Sequence, residues 1–266
     1  MRGIMPDNDL DVIPGRRAVL EALRAGRPLR KLLVATAARQ GGSLAEILHE
    51  ARRRDVLVQF VAGARLDALS LRIPHQGVIA LAAARATVSV DQILAGARAR
   101  QEEPLILVCD GLESPANLGA ILRIADGAGV HGVIIPKHRA VGLTSAVAKT
   151  SAGAIEYVPV AQVTNIVHTL EALKAAGLWV VGADPTAPEV YSRVRLVPPL
   201  AVVVGGEARG LRRLVREHCD TLVRLPMRGQ ISSLNLAVAT GVLIYEIRRQ
   251  QGEGKPWMGT QQRPPP

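Results

Sequence analysis

The chain has 266 residues, 48% of them apolar, enough for two modest domains or one large one with a sizeable core, although aromatics at 2% leave Ala, Val, Leu and Ile to fill it. Lys and Arg outnumber Asp and Glu by 33 to 23, and a net charge of +10 suits either a polyanion such as RNA or DNA or simply a soluble basic surface. No apolar run reaches the roughly 18 residues of a membrane span and no signal peptide is visible, while Cys109 and Cys219 lack metal-ligand spacing, so the expectation is a cytoplasmic protein with no membrane and no metal partner.

Residues 1–9 are polar and read as a loose tail. Residues 10–84 read as a first α/β unit. GRRAVLEALRAG is a helix and LRKLLVAT a strand. LAEILHEARRRD is a second helix, because Leu44, Ile47, Leu48 and Ala51 fall at i, i+3, i+4 and i+7. VLVQFVA and QGVIALAA are strands. Residues 16–54 hold ten Lys or Arg against three Asp or Glu, which makes this unit the candidate grip on phosphates. The run Arg52–Arg53–Arg54 reads equally well as a solvated helix end, where cations suit the macrodipole.

Residues 85–103, rich in Ala and charge, read as a linker with some helix. A second unit covers 104–251. It starts with the strand PLILVCDG, followed by helix 115–128, strand VHGVIIP, helix 143–152, strand IEYVPV and helix 163–176. The strands LWVVGAD and LAVVVGG, helix 208–218, strand TLVRLP and helix 232–250 complete it. Continuous apolar strands between amphipathic helices predict a mostly parallel sheet covered on both faces. The tail 252–266 is rich in Gly, Pro and Gln and reads as disordered.

In such sheets ligands lie beyond the carboxyl ends of the strands. Four of those ends stand out. After CDG, Ser114 is suited to cap a helix whose first residue is Pro115, with Asn117 in its first turn. VVGADP carries Gly182. VVVGGEARGL leaves its strand through Gly205 and Gly206, with Glu207 next. LPMRGQISSLN feeds a helix that Ser232 or Ser233 would cap, with Asn235 just inside. In the helix after Asn117, Arg123 stands alone between Gly119 and Gly127, one turn away on either side. Paired glycines permit close backbone approach to a flat ligand. GGEARG is not the dinucleotide fingerprint, and neither a P-loop nor a nucleophile elbow is present. The six histidines (49, 75, 131, 138, 168 and 218) show no zinc-type pairing.

Asn117-x-Gly119-x-x-x-Arg123, then GGEARGL at 205–211 and SSLNLAVATG at 232–241, resemble the three signature motifs of the SpoU-type (TrmH-like) RNA ribose 2′-O-methyltransferases of the SPOUT class. The first unit, with IPGRRAVLEAL and HQGVIAL, is similar to the ribosomal-protein-like substrate domain of some members. The resemblance implies an α/β fold whose C-terminal segment is threaded into a deep trefoil knot, a homodimer, and S-adenosylmethionine bent against the late strand ends. It implies cofactor contacts at Gly205, Leu225 and Leu234; the strand-end glycines Gly182 and Gly206, and Met227 beside Leu225, are read as further cofactor-lining candidates. It puts functional polar roles on Asn117, Arg123, Glu207, Ser233 and Asn235, with Arg123 of one subunit facing cofactor held by the other. The layout is most like that of enzymes acting on a guanosine of 23S ribosomal RNA. A tRNA ribose methyltransferase, an antibiotic-resistance enzyme acting on another ribosomal RNA nucleotide and a non-catalytic ribosome-assembly protein that binds RNA are the rival readings.

An arginine beside the reacting nucleotide would stabilise the developing alkoxide and clamp a phosphate with its planar fork, and flanking glycines would let the RNA backbone approach. Arg holds its proton to a pKa of about 12 or more, so it is assigned to charge stabilisation rather than to general base. The plainer readings are an Arg123–Asp126 surface pair, a helix-terminal acid at Glu207, and capping or loop-shaping at Ser233 and Asn235.

Overall fold

Leu105, Leu107 and Cys109 face one hydrophobic core, and Ile106 and Val108 face another, so one short strand is buried from both sides. That alternation organises the larger of two sheets in a computed structural model of the chain. The structure describes residues 10–39, 41–71, 73–138, 140–207 and 210–252. The reading of residues 1–9 as a tail lies outside the described residues, as does that of the tail 252–266 except for Gly252, which ends the last helix.

The first domain contains β1 (Leu10–Pro14), α1 (Arg16–Arg24), β2 (Leu29–Ala35), α2 (Ser43–Arg53), β3 (Val58–Val61), α3 (Gly63–Leu69) and β4 (Val78–Ala83). Its sheet has the order β1-β4-β2-β3, with β2 and β3 parallel and the other pairs antiparallel. The sequence pattern marks α1, α2 and three of the strands, but not β1 or α3. β1 is a five-residue strand with one mid-strand polar residue, too short to show a period. Ala18, Val19, Ala22 and Leu23 of α1 and Leu44, Ile47 and Ala51 of α2 pack on one face of the sheet.

The stretch 85–103 is more than a spacer. Val88 bridges Ala161 of the second sheet, and α4 (Val90–Ala99) is capped by Ser89, whose hydroxyl accepts from Gln92 N at 3.1 Å. Ile93 and Leu94 then sink into the second domain's core.

That domain continues with β5 (Leu105–Asp110), α5 (Pro115–Gly127), β6 (Gly132–Pro136), α6 (Ser145–Thr150), β7 (Val160–Val163), α7 (Ile166–Ala175), β8 (Trp179–Ala183), β9 (Glu189–Val190), β10 (Leu200–Gly205), α8 (Arg213–Glu217), β11 (Thr221–Arg224) and α9 (Leu236–Gly252). Its sheet has seven strands in the order β7-β6-β5-β10-β8-β11-β9. Every pairing is parallel. β5, β6 and β10 are buried throughout, which only a sheet covered on both faces allows.

Four expectations need correcting. IEYVPV is not one strand: residues 154–156 form a 3-10 turn after Gly153, at φ +96°, and only Val160–Val163 pair. Glu156 is thereby turned inward, where Arg27 (3.2 Å) and Arg85 pair with it. Helix 143–152 shrinks to α6, started by Thr144, and helix 208–218 to α8, with Ala208 and Arg209 outside the described residues. Finally, neither Ser232 nor Ser233 opens the last helix. Asn235 does, its Oδ1 accepting from Ala237 N (2.9 Å) and Val238 N (3.3 Å).

Candidate active site

The chain leaves β5 to one side for β6 and β7, then returns to the other side for β8 and β10. Between β5 and β10 the strand order therefore reverses, and the two strands end level, Asp110 opposite Gly205. This is where the fold opens a crevice. Gly205 has no room for a side chain, since a Cβ would lie 2.0 Å from the carbonyl carbon of Gly210. At Gly206 an added Cβ would lie 2.6 Å from the Gly111 oxygen. Gly210 N donates to Gly206 O at 2.9 Å, and Glu207, next to this glycine bridge, lines the crevice. A cleft of about 910 Å³ opens here, lined in part by Asp110, Glu113, His138, Glu207 and Arg212.

Ser114 caps α5 as its position predicts, accepting from Asn117 N at 3.3 Å. Asn117 then sits in the first turn, aimed at the glycine turn, and its Nδ2 donates to Glu207 Oε1 at 2.6 Å. Its Oδ1 accepts from Asn235 Nδ2 at 3.0 Å. One amide thus ties together three segments up to 118 positions apart. Both of its polar atoms are used, so it holds Glu207 and Asn235 in one geometry.

Arg123 is not part of this cluster within a single chain. Six residues on a helix amount to about 9 Å of rise and a turn of some 240° away from Asn117. The side chain is exposed and lines a cavity against the first domain. Gly119, expected to leave room for RNA, is instead buried against α6, and a Cβ there would lie 2.1 Å from Thr150 Oγ1. Gly182 is likewise a packing glycine, its Cα enclosed by Leu222, Cys219 and Leu211. Ser233 is exposed on the loop between β11 and α9.

That loop is unusual. Leu225 packs partly on the core, but Met227, Ile231 and Leu234 stay 36%, 72% and 42% exposed. Among the described residues, no backbone-to-backbone hydrogen bond outside regular elements involves 226–234. Apolar side chains beside uncommitted backbone donors and acceptors suit a flat, polar-edged ligand such as a purine.

The two cysteines are not nucleophiles. Burial raises the Cys109 and Cys219 thiols to about 12, so both stay protonated near neutral pH. Among the described residues, no group of three His, Cys, Asp or Glu side chains is placed to hold a metal, and no helix is long and apolar enough to cross a membrane.

Sequence reasoning missed Asp110 and Arg212. Asp110 is 1% exposed. It accepts from Arg212 N (2.9 Å) and Nε (2.7 Å), which fastens the glycine turn to the end of β5. The signal was there: an acid closing an otherwise apolar strand has to be paired.

Residues 104–245 match the model of the SpoU rRNA methylase family, and residues 12–88 match that of the RNA 2′-O ribose methyltransferase substrate-binding domain. The chain is 44% identical over 241 residues to the TrmH-family protein YacO of Bacillus subtilis (strain 168), whose name couples tRNA with rRNA; the match covers 91% of this chain and 96% of YacO. A solved RNA 2′-O ribose methyltransferase superposes with a TM-score of 0.74 at 32% identity, over 91% of this chain and 89% of that one. The SpoU methyltransferase AviRb from Streptomyces viridochromogenes, solved with AdoMet, superposes with a TM-score of 0.74 at 28% identity, over 91% of each chain. The chain belongs to the SpoU family of RNA 2′-O-ribose methyltransferases.

Proposed function

We propose that this protein transfers a methyl group from S-adenosylmethionine to the ribose 2′-oxygen of a guanosine in 23S ribosomal RNA, in the cytoplasm and as a homodimer. The observation that carries the reading is the hydrogen-bonded chain Glu207–Asn117–Asn235, which joins the three motif segments at the end of the parallel sheet. The glycine turn and the exposed loop with Met227 and Leu234 fit a purine nucleoside. On this reading Gly205, Gly206, Leu225, Met227 and Leu234 form the cofactor wall, and Gly182 supports it from behind.

The cofactor supplies a methyl group on a positively charged sulfur. The chain's own residues hold the acceptor. Glu207, fixed by Asn117, is placed to accept a hydrogen bond from a ribose hydroxyl. Arg123, still protonated at neutral pH, stabilises the charge that develops on the oxygen. Ser233 and Asn235 shape the loop. The general base is left to water or to a substrate group.

A second copy supports this arrangement in two ways. α9 exposes Val238 (53%), Val242 (37%) and Tyr245 (51%) at i, i+4 and i+7, an apolar stripe that a two-fold partner would cover. Across that axis, Arg123 of one subunit would reach the loop of the other, which it does not do in its own chain. The threading of α9 belongs to the same proposal. It is supported by the contacts of Gln250 with Leu196 N (2.7 Å) and Val194 O (3.2 Å), which tie the last helix to the segment before β10.

The first domain, which matches an RNA substrate-binding family and resembles a ribosomal-protein-like domain, tilts the reading toward ribosomal RNA. The test is incubation with methyl-labelled cofactor and, in separate reactions, unmethylated ribosomal RNA and unmethylated tRNA, followed by mapping of the labelled ribose. Label confined to one guanosine of large-subunit RNA is expected. Label on tRNA alone would overturn the substrate, and no label on either would overturn the activity.

A further inference from the structure

Apart from Arg123, the domain junction carries charge that the reaction does not account for. Arg27 bridges Asp11 (2.6 Å) and Glu156 (3.2 Å), Arg85 pairs with Glu156, and the Tyr157 hydroxyl donates to Glu21 at 2.7 Å. These contacts hold α1 against the 151–157 turn. Between α1 and α5 they leave a cavity of about 290 Å³. Arg17 and Arg24 enter it from the first domain and Arg123 from the second, with Glu21 and Asp126 also in the wall.

We propose that this cavity is a subsite for one backbone phosphate of the RNA substrate, gripped by Arg17 from the substrate domain and Arg123 from the methyltransferase domain. The inference rests on the functional reading above and deepens it. Arg24 is already committed to Glu21 at 2.9 Å and to Glu46. The guanidinium groups of Arg17 and Arg123 are exposed, and among the described residues neither is joined to a carboxylate. Arg24 is met by Glu21 and Glu46, so the cations left to hold a ligand are Arg17 and Arg123, with Asp126 beside them. A phosphate held from both domains would fix the RNA's register against α5, since backbone contacts position a nucleic acid without reading its sequence.

The test compares Arg17→Gln with Arg98→Gln, which removes the same charge from the exposed face of α4. RNA binding and methylation are measured across a salt series, with cofactor binding as the check on folding. For Arg17→Gln we expect KM for RNA to rise about tenfold, with kcat and cofactor affinity unchanged. The slope of log affinity on log salt should become shallower by about 0.7, as for one lost single-strand phosphate contact. Arg98→Gln should match the parent, and inorganic phosphate should compete only weakly. The subsite is overturned if Arg17→Gln binds RNA like the parent, or if Arg98→Gln weakens binding equally, which would mean bulk charge alone. A parent protein that binds no RNA at any salt would overturn the functional reading and the subsite with it.

Discussion

Asp110 and Arg212 form a lopsided pair: the carboxylate is fully buried and the guanidinium 58% exposed. The two ends should therefore fail differently. Arg212→Ala strands a buried carboxylate with only the backbone N–H of residue 212 as partner, and should cost about 3–5 kcal/mol. Asp110→Asn removes the buried charge and lets Arg212 turn to water, at about 1–3 kcal/mol. Thermal or urea unfolding of both variants checks the order. Equal losses would mean that the pair does not clamp the glycine turn to β5.

Asn117 offers a test by exchange. Asn117→Asp puts a carboxylate against Glu207 where a donated bond of 2.6 Å now stands, and methylation should fall by roughly a hundredfold. Glu207→Gln in the same chain restores a donor facing an acceptor, while the Asn235 amide still donates to position 117. The double variant should recover the folded loop, seen as restored cofactor binding. If Glu207 also touches the ribose, activity should return only in part. A double variant no better than Asn117→Asp would mean that Asn117 acts on something other than Glu207.

Gly119→Ala should destabilise by about 1–3 kcal/mol, because the added methyl overlaps Thr150 and the backbone of Ser151 where α5 crosses α6. At Gly127, the nearest atom to a new Cβ is the Tyr245 hydroxyl, at 3.2 Å, so alanine there should be nearly neutral. Thermal unfolding decides between this and the idea that both glycines serve an approaching ligand, under which neither change would affect the unbound protein.

Those two glycines mark the limit of what the sequence discloses. Burial periodicity placed nearly all the larger elements, because Leu44, Ile47 and Ala51 or the apolar run of β5 have few other ways to fold. It could not show β9, two residues long, or that 154–157 would turn to lend Glu156 to Arg27 of the other domain and Arg85 of the linking stretch. The motif residues Asn117, Glu207 and Asn235 were recognisable by resemblance, and the structure joins them. What joins them was not: Asp110 and Arg212 are an acid and a base 102 positions apart, and only the parallel register of β5 with β10 brings them together. A lone glycine reads alike whether it faces a neighbouring helix or a ligand.

Subunit mixing can separate a shared site from a self-contained one. Arg123→Ala should be inactive for want of the guanidinium, and Leu234→Asp for want of an apolar cofactor wall. If Arg123 serves the partner's loop, a heterodimer of the two keeps one intact site of its two. Equal mixing after dissociation and reassociation should then return about a quarter of the parent rate, since half the dimers are mixed. If Arg123 serves its own chain, no site in any dimer is intact and mixing returns nothing. Val242→Asp, which puts a charge in the exposed stripe of α9, should give a monomer by sedimentation and abolish activity with the fold kept.

His131 predicts how the second domain responds to acid. It is 3% exposed, its Nδ1 accepting from Leu105 N at 3.0 Å and its Nε2 facing Glu102 at 2.9 Å. Burial holds its pKa below the usual 6.5, outweighing the attraction of Glu102. The unfolded chain therefore takes up the proton first as pH falls, and unfolding is favoured in that window. The contribution of neutral His131 is complete above about pH 6.5 and declines as the pH drops from there toward the folded value. Protonation would also turn Nδ1 from acceptor to donor against the Leu105 amide, at the first residue of β5. Unfolding midpoints measured from pH 8 to pH 5 should fall below pH 6.5. In His131→Asn, which cannot charge, that part of the slope should be lost even though the variant starts from a lower midpoint. An unchanged slope would place the acid sensitivity elsewhere.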